Sequence, residues 1–377
     1  MYSYKIITHI NEISATRWDL FFDDNPFTKH AFIHACEASL SASSKQGWQA
    51  HHFLIYENDT LIAVMPGYVK SHSYGEYVFD WSWAEAYQNH GLTYYPKWVC
   101  SIPFTPVEGG RIATNSSNLS MLYQYIKTIL NAQSKKYNWS GFHINFCDKK
   151  TSHLLGKQDV SSRLGVQFQW FNKDYQSFDD YLSCLTARKR KVIKKERLKA
   201  VAEDISIKWL TGCKISSDII EQFIAFYQRT YLKRSGHLGY LNSDFFSLLK
   251  QNMSDELVIM IATKDENVIA ATLSLKSSTT LYGRYWGASE YYDFLHFELC
   301  YYQGIEYCIK NNLKCFHSGA QGEHKIARGF EPVFTYSNHT MVHPDFSLAI
   351  DNFLIHESQQ MQNYHQQCQT LLPFKNQ

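Results

Sequence analysis

Hydrophobic and polar positions follow the same order in two places along the chain. In each copy, two apolar runs flank a short polar turn. The copies are residues 52–56 and 61–64 around the turn 57–60, and residues 257–262 and 268–271 around the turn 264–267. Each copy predicts a β-hairpin. One residue fewer separates the matched ends in the second copy, and we predict a bulge at Pro66-Gly67 that explains the difference.

An aromatic segment, predicted as a strand or a loop, and then a helical pattern follow each hairpin. The aromatic segments are residues 74–83 and 281–286, and the helical patterns cover residues 119–132 and 294–308. Strands that alternate with helices predict an α/β fold with mixed sheets. The shared order of elements favours two related lobes over a chance match of two hairpins.

The predicted boundary between the lobes lies near residue 172. We assign residues 1–172 to the N-terminal lobe and 173–377 to the C-terminal lobe, which includes a basic helical segment at 179–201. Further helical patterns cover 217–231 and the tail 346–372. The helix at 179–201 is expected to connect the two lobes.

Composition narrows the class of protein. A chain of 377 residues that is 45% hydrophobic is long enough for two packed domains. Nine cysteines without a C-x-x-C pair argue against a disulfide framework or a cysteine zinc site, and the 17 histidines are dispersed, so we predict no metal. With no signal-peptide pattern and no run of about 18 apolar residues, we expect a cytoplasmic protein without a membrane span.

Positive charge is concentrated in one stretch, although the net charge is only +2. Residues 188–199 contain eight Lys or Arg residues and a single acid, Glu196. This density favours contact with phosphates of a donor or of tRNA, and a solvated helix face is the alternative. The predicted contact residues are Arg188, Arg190, Lys191, Lys194 and Lys195.

A polar cluster near the end of the chain is the first candidate site. The pattern predicts a strand at 314–317, a turn at 318–322 and a short helix at 323–328 that Gly329 ends in a left-handed cap. Such a turn can present donors and a proton acceptor to a ligand, whereas the alternative is a solvated helix start. Glu323 and His324 are candidate catalytic residues, and Gln321, Lys325 and Arg284 are candidate substrate-binding residues.

Residues 70–83 form the second candidate site, because charged and aromatic residues alternate there. A strand would place Glu76 and Asp80 on one face and aromatic side chains on the other. Carboxylates beside aromatic walls suit recognition or deprotonation of an amine; alternatively, Asp80 is exposed or hydrogen-bonded and the aromatic residues are core. Asp80 is a candidate catalytic residue, and the candidate substrate-binding residues are Lys70, His72, Tyr74, Glu76, Trp81 and Trp83.

Glu298 lies among apolar and aromatic residues of the predicted helix at 294–308. A partly buried carboxylate gains proton affinity, which suits a general base. The competing interpretation is a salt bridge from Glu298 to Arg284 or Lys325. Gly304 in the same helix is expected to permit close packing against a strand.

Several multi-residue motifs resemble a known family. They are the segments 70–81, 103–107, 301–306 and 319–325. These segments resemble bacterial FemAB-like proteins of peptidoglycan biosynthesis or recognition, within the GNAT acyltransferase superfamily. The resemblance covers about residues 10–372, and it implies two tandem GNAT-like lobes and acyl transfer to an amine.

The resemblance implies an activated donor, aminoacyl-tRNA or acyl-CoA, and no tightly bound cofactor. The acceptor would be an amine-bearing peptide, such as a peptidoglycan precursor, or a small molecule. The glycine-rich turn with which GNAT enzymes hold the CoA pyrophosphate is not found in either half.

From the residues themselves we expect Glu298, Glu323 or Asp80 to deprotonate the amine. Backbone amides near Gly319 and Gly322 would then stabilise the oxyanion. The alternative function is a non-catalytic module that recognises a cell-wall peptide or tRNA.

Overall fold

A computed structural model describes residues 1–202, 204–320 and 322–375. The chain forms two compact units. Unit 1 consists of Met1–Val166 and Phe334–Tyr364, and unit 2 consists of Gln167–Val333 and the residues from His365 onward. Both units combine sheets with helices, as the α/β prediction requires. The lobe boundary at residue 172 stays a prediction.

The elements up to residue 171 are a mixture of strands and helices. They are β1 (Tyr2–Ile7), α1 (Ala15–Asp19), α2 (His30–Ala38), β2 (Trp48–Ala50), β3 (His52–Glu57), β4 (Thr60–Met65), β5 (Gly67–Lys70), α3 (Trp81–Asn89), β6 (Lys97–Cys100), β7 (Ala113–Thr114), α4 (Leu119–Lys136), β8 (Gly141–Cys147), α5 (Lys149–Gly156) and β9 (Ser161–Phe171).

The remaining elements begin with two helices and end with a long one. They are α6 (Phe178–Ser183), α7 (Ala187–Ala200), β10 (Ser206–Thr211), α8 (Ser217–Ser235), α9 (Ser243–Asn252), β11 (Leu257–Lys264), β12 (Asn267–Lys276), β13 (Thr280–Ala288), α10 (Leu295–Phe297), a π-helical turn (Glu298–Tyr302), α11 (Gln303–Lys310), β14 (Cys315–His317), a 3-10 helix (Glu323–Arg328), β15 (Glu331–Met341) and α12 (Pro344–Thr370).

Unit 1 contains two sheets. The first is antiparallel, in the order β1-β3-β4-β7, and the second runs β2-β5-β6-β8 and continues to residues 336–341 of β15. β6 and β8 are parallel. The amphipathic helix α4 buries Leu122 and Ile126 against core residues such as Trp98 and Phe142. This burial of apolar surface is the main source of stability for the unit.

Unit 2 has one sheet, in the order β10-β11-β12-β13-β14-β9. Its pairs are antiparallel except β13 and β14, which are parallel, with Thr280 opposite Cys315 and Tyr282 opposite His317. The helical segment from Leu295 to Lys310 makes the crossover that a parallel pair requires. The chain leaves β14 at the carboxyl end of this pair, where α/β proteins commonly place ligands.

Both predicted hairpins are confirmed, as β3–β4 and β11–β12. The bulge predicted at Pro66-Gly67 is wrong. β4 pairs in the first sheet of unit 1, whereas β5 begins at Gly67 and pairs in the second, so the chain changes sheets there. Proline has no N–H for a ladder and therefore suits the break. The register shifts lie instead at Ile55/Tyr56 and at Ala262/Thr263.

Of the two structures predicted for residues 74–83, strand or loop, the loop is confirmed for the part before helix α3. Tyr77 has a left-handed φ of 60°, and Asp80 is the N-cap of α3, which begins at Trp81. The predicted single helix 179–201 is wrong, because it is two helices, α6 and α7, with Thr186 before α7 extended.

Gly304 is needed where α11 meets β14. A Cβ at this position would overlap the ring of Phe316, which confirms the expected close packing against a strand. We predict that Gly304→Ala lowers the free energy of unfolding of unit 2 by about 1–3 kcal/mol, because the packed ring must move.

The matched control is Gly156→Ala in α5, where an added Cβ meets nothing within 4 Å. That change should be neutral or slightly stabilising. Denaturant unfolding of both variants measures the difference, and equal stability of the two would contradict the packing constraint.

Candidate functional site

The turn after β14 is shaped by glycine. Gly319 and Gly322 have φ values of 90° and 117°, which side chains strongly disfavour. The 3-10 helix Glu323–Arg328 follows, and Gly329 caps it with φ 76°, as predicted. We call Gly319, Gly322, His324, Lys325 and Tyr301 the glycine-turn site.

Lys325 is the most unusual member of the glycine-turn site. Lys325 is only 1% exposed, and its Nζ donates a hydrogen bond to the carbonyl oxygen of Gly319 at 2.6 Å. No carboxylate among the described residues pairs with it. Burial disfavours the charged form and lowers the pKa of Lys325 to about 7. A neutral amine is therefore available near neutral pH.

His324 precedes Lys325 in the 3-10 helix, and aromatic side chains hold its ring. The hydroxyl of Tyr301 lies 2.8 Å from Nε2, and the ring of Phe297 packs at 5.8 Å between centroids. A Cβ on Gly322 would approach Nδ1 to 2.9 Å, so the imidazole closely approaches the turn backbone. Burial, then Arg328 and Lys325, lower the pKa of His324. The imidazole is consequently neutral at physiological pH.

Two further histidines around the turn are also neutral. His317 accepts the Gly319 N–H through Nδ1 at 3.3 Å and contacts Gln167 through Nε2 at 2.8 Å. Burial, with Lys325 and Arg284, lowers the pKa of His317 to about 3. Burial and Arg234 lower the pKa of His296 to about 4. Since Gly319 N–H already has an acceptor, it is a poor candidate for an oxyanion donor.

Glu298 is occupied by a cation. Glu298 is only 1% exposed. Both of its carboxylate oxygens accept hydrogen bonds from Arg197 at 2.9–3.1 Å, and Gln303 donates to one of them at 2.7 Å. The alternative partners expected from the sequence, Arg284 and Lys325, are therefore wrong, and the partner is Arg197. The catalytic role of Glu298 stays a prediction that this ion pair does not favour.

The other predicted residues of unit 2 are spread around the turn. Glu323 is exposed at the start of the 3-10 helix. Arg284 lies over the ring of Tyr285, with its guanidinium carbon 5.2 Å from the centroid. Gln321 lies outside the described residues. The roles predicted for these three residues stay predictions.

In unit 1 the two predicted carboxylates meet a lysine. Lys97, fully buried, donates to Glu76 at 2.9 Å, to Ser73 at 2.9 Å and to Asp80. Tyr94 donates to Asp80 at 2.6 Å. We call Lys97, Ser73, Glu76, Asp80 and Tyr94 the Lys97 cluster. The amine that these carboxylates hold belongs to the chain itself.

Burial and charge set the titration of the Lys97 cluster. Burial raises the pKa of Glu76 to about 7 in spite of Lys97. For Asp80, burial also acts upward, but the Lys97 ammonium outweighs it and lowers the pKa to about 2. Burial opposes charge on Lys97, yet the two carboxylates raise its pKa above the usual range. Lys97 and Asp80 thus form an ionic pair at neutral pH.

The remaining predicted residues of unit 1 surround the Lys97 cluster. Lys70 is fully buried, donates to the Tyr74 carbonyl at 3.2 Å and lies 3.6 Å from the Trp48 ring centroid. His72, Tyr74 and Trp81 form a chain of ring contacts at 5.2 and 4.9 Å. Trp83 is buried and packs edge-on against His339. Substrate binding by these residues stays a prediction.

The basic residues lie on α7. Arg188, Lys191, Lys194 and Lys195 are exposed, and Lys194 pairs with Asp179 at 3.1 Å. Arg190 instead donates to the carbonyls of Ser183 and Leu185, so its guanidinium caps the end of α6. Contact with tRNA or donor phosphates stays a prediction.

Three partners of the site were not identified from the sequence: Lys97, Tyr301 and Arg197. Lys97 opens the apolar run Trp98-Val99-Cys100, and a lysine inside a buried strand requires acids nearby. This position of Lys97 in an apolar run is therefore a signal in the sequence that could have identified it as the partner of the two carboxylates. Tyr301 and Arg197 carry no comparable local signal, because their partners lie 23 and 101 residues away.

Among the described residues, no group of three or more His, Cys, Asp or Glu side chains could hold a metal ion. Within the same residues, no helix is long and apolar enough to cross a membrane. The nine cysteines are free thiols.

Comparison with known proteins places the chain in a family. It matches the FemAB-like family, described as peptidoglycan biosynthesis/recognition, over residues 9–376, and it belongs to that family. No curated protein sequence is detectably similar to it.

Solved structures confirm the fold class of tandem GNAT-like α/β lobes. FemX is similar with a TM-score of 0.54 and 10% identity, over 91% of this chain and 99% of that one. L-PGS from Bacillus licheniformis has a TM-score of 0.50 and 10% identity over 86% and 94%. The C-terminal domain of a putative lysylphosphatidylglycerol synthetase from Agrobacterium fabrum has a TM-score of 0.52 and 7% identity over 89% and 94%.

Lys97→Met should destabilise unit 1 by about 3–5 kcal/mol, because it leaves Asp80 and Glu76 buried without their cation. Chemical denaturation, with hydrogen exchange of the β6 and β8 amides, measures the loss.

Lys70→Met is the control, because Lys70 contacts the Tyr74 carbonyl and the Trp48 ring but has no carboxylate partner among the described residues, so its loss should cost about 1 kcal/mol. A loss no larger for Lys97→Met than for Lys70→Met would refute the assigned role of the Lys97 ammonium.

Proposed function

We propose that the protein is an acyltransferase that moves an acyl or aminoacyl group from an activated donor to an amine. The donor class is aminoacyl-tRNA or acyl-CoA, each of which carries an activated ester or thioester, and each is used in the cytoplasm. The acceptor class is an amine-bearing peptide such as a peptidoglycan precursor. Membership of the FemAB-like family supports the acceptor class.

The buried Lys325 amine carries the proposal. Attack on an ester or thioester requires a neutral acceptor amine, and a base with a pKa near the working pH removes the proton most effectively. Lys325 has a pKa of about 7 and lies at the carboxyl end of the parallel pair β13–β14. Glu298 and Asp80 are less suited, because Arg197 and Lys97 hold their oxygens.

The transfer needs no enzyme nucleophile. The acceptor nitrogen attacks the carbonyl carbon of the donor, forms the C–N bond and gives its proton to the Lys325 amine. The C–O or C–S bond to the carrier then breaks. The Lys325 ammonium returns the proton to the departing oxygen or sulfur, so the enzyme ends in its starting state. We assign to His324, which is hydrogen-bonded to Tyr301, the role of a hydrogen-bond partner for one of these groups.

One of the similar solved structures is the C-terminal domain of a putative lysylphosphatidylglycerol synthetase, and that name agrees with transfer of an aminoacyl group. FemX and this domain share the α/β fold of the present chain.

The direct test offers both donors to one acceptor. Bulk tRNA charged with labelled amino acids and labelled acetyl-CoA are each incubated with the protein and a peptidoglycan stem peptide that bears a free amine. Mass spectrometry of the peptide should show one added aminoacyl or acetyl group. Binding of the peptide or of tRNA without any consumption of either donor would instead support the non-catalytic recognition module.

The proposed base gives a defined pH dependence. Since Lys325 acts in its neutral form, kcat should be low below pH 6, rise through an inflection near pH 7 and level off above it. Lys325→Arg keeps a cation but cannot accept the proton, so kcat should fall at least about 100-fold and lose the inflection.

Lys325→Ala with added propylamine provides the matched rescue. The small amine is expected to fill the space of the missing side chain and restore part of the rate, whereas Lys250→Ala, in the last turn of α9, should behave as wild type. An unchanged kcat and pH profile in Lys325→Arg would remove Lys325 from the mechanism.

A further inference from the structure

Helix α7 has an inner face that is fixed to the elements around the glycine-turn site. Ile193 and Ala200 are buried. Glu196 accepts from Arg328 of the 3-10 helix at 2.8 Å, and Arg197 donates to Glu298 of the π-helical turn at 2.9 Å. The helix therefore cannot rotate about its axis without breaking these ion pairs, so the same residues always face away from the glycine-turn site.

That opposite face carries cations without acids. We call it the outer face of α7, and its residues recur at helical spacing on one stripe: Arg188, Lys191, Val192, Lys195, Leu198 and Lys199. The one acid of the helix, Glu196, is on the inner face and paired with Arg328. Four cations thus face solvent with no neutralising carboxylate on the helix.

Aliphatic side chains interrupt these cations. Leu198 is 72% exposed and Val192 is 45% exposed, and Val201 just beyond the helix is 40% exposed. The ammonium of Lys199 lies 5.6 Å from the ring centroid of Phe294, and the loop before Phe294 exposes 82% of Tyr291. Both α7 and the neighbouring loop therefore contribute exposed apolar side chains to this surface.

This combination fits a lipid surface better than a nucleic acid. Phosphates of tRNA would pair with the cations, but the exposed aliphatic side chains of Val192 and Leu198 gain nothing from a phosphate backbone. At an anionic membrane the lysines meet lipid headgroups while the aliphatic groups enter the acyl boundary.

We propose that the outer face of α7 docks unit 2 on a membrane surface rich in anionic lipids. Docking would be peripheral, consistent with the lack of a spanning helix among the described residues. Because the inner face of the same helix holds Arg328 and Glu298, the glycine-turn site would lie next to the bound surface. Binding of this face to a membrane does not require that the protein catalyses acyl transfer.

The test measures binding rather than activity. Wild-type protein is sedimented with vesicles of phosphatidylglycerol and phosphatidylethanolamine, and separately with vesicles of phosphatidylcholine alone. Binding should occur with the anionic vesicles only and weaken as salt rises. The triple variant Arg188→Glu/Lys191→Glu/Lys195→Glu should bind at least about 50-fold more weakly, and Leu198→Gln about 5- to 10-fold more weakly.

Matched control variants test whether a loss of binding is specific to the outer face of α7. Lys5→Glu/Lys149→Glu/Lys157→Glu makes the same charge change at exposed positions of unit 1, and Leu20→Gln replaces a leucine that is 79% exposed. Both should bind vesicles as wild type does. A parallel titration with bulk tRNA tests the other macromolecule.

Three results would overturn the proposal. They are equal loss of vesicle binding in the control variants, absence of binding to anionic vesicles, and tRNA binding that the triple variant abolishes while vesicles remain unbound. Absence of binding to both vesicles and tRNA would mean that the stripe is a solvated face. None of these results bears on whether Lys325 catalyses transfer, so the two proposals fail separately.

Discussion

Burying a lysine amine is the physical constraint on which both sites depend. A buried ammonium requires opposite charge nearby, and without it the amine loses its proton. Lys97 has two carboxylates, Glu76 and Asp80, and its charged form is stabilised. Lys325 has one carbonyl oxygen, from Gly319, and its pKa falls to about 7. The same residue type is therefore a structural cation in unit 1 and a candidate base in unit 2.

Arginines keep the neighbouring acids of unit 2 occupied. Arg197 pairs with Glu298 and Arg328 pairs with Glu196, so two carboxylates near the helical elements are committed to guanidinium groups. An arginine presents a planar fork that matches a carboxylate, and it does not lose its charge when buried. The ion pairs of α7 thus stabilise the fold around Lys325 without supplying the carboxylate that would restore its ordinary pKa.

Local features of the sequence predicted much of the fold and only part of the site. The hairpins, the glycine turn and the cap at Gly329 follow from short-range pattern and backbone preference. For the stretch 74–83 the sequence left strand and loop open, because alternation of polar and aromatic residues suits a half-buried strand and also a loop whose buried carboxylates meet a distant cation. Arg197 and Glu298, 101 residues apart, could not be paired without the three-dimensional contact.

Because Lys325 is buried with a carbonyl and without a carboxylate partner among the described residues, we expect it to be largely neutral near pH 7 in the folded protein. Its side-chain nitrogen can be followed by NMR in protein labelled with ¹⁵N-lysine, and Lys325→Met identifies the signal by its loss. A pH titration should give a midpoint near 7 for Lys325, well below those of the exposed lysines. A Lys325 signal that stays protonated above pH 10 would contradict the account.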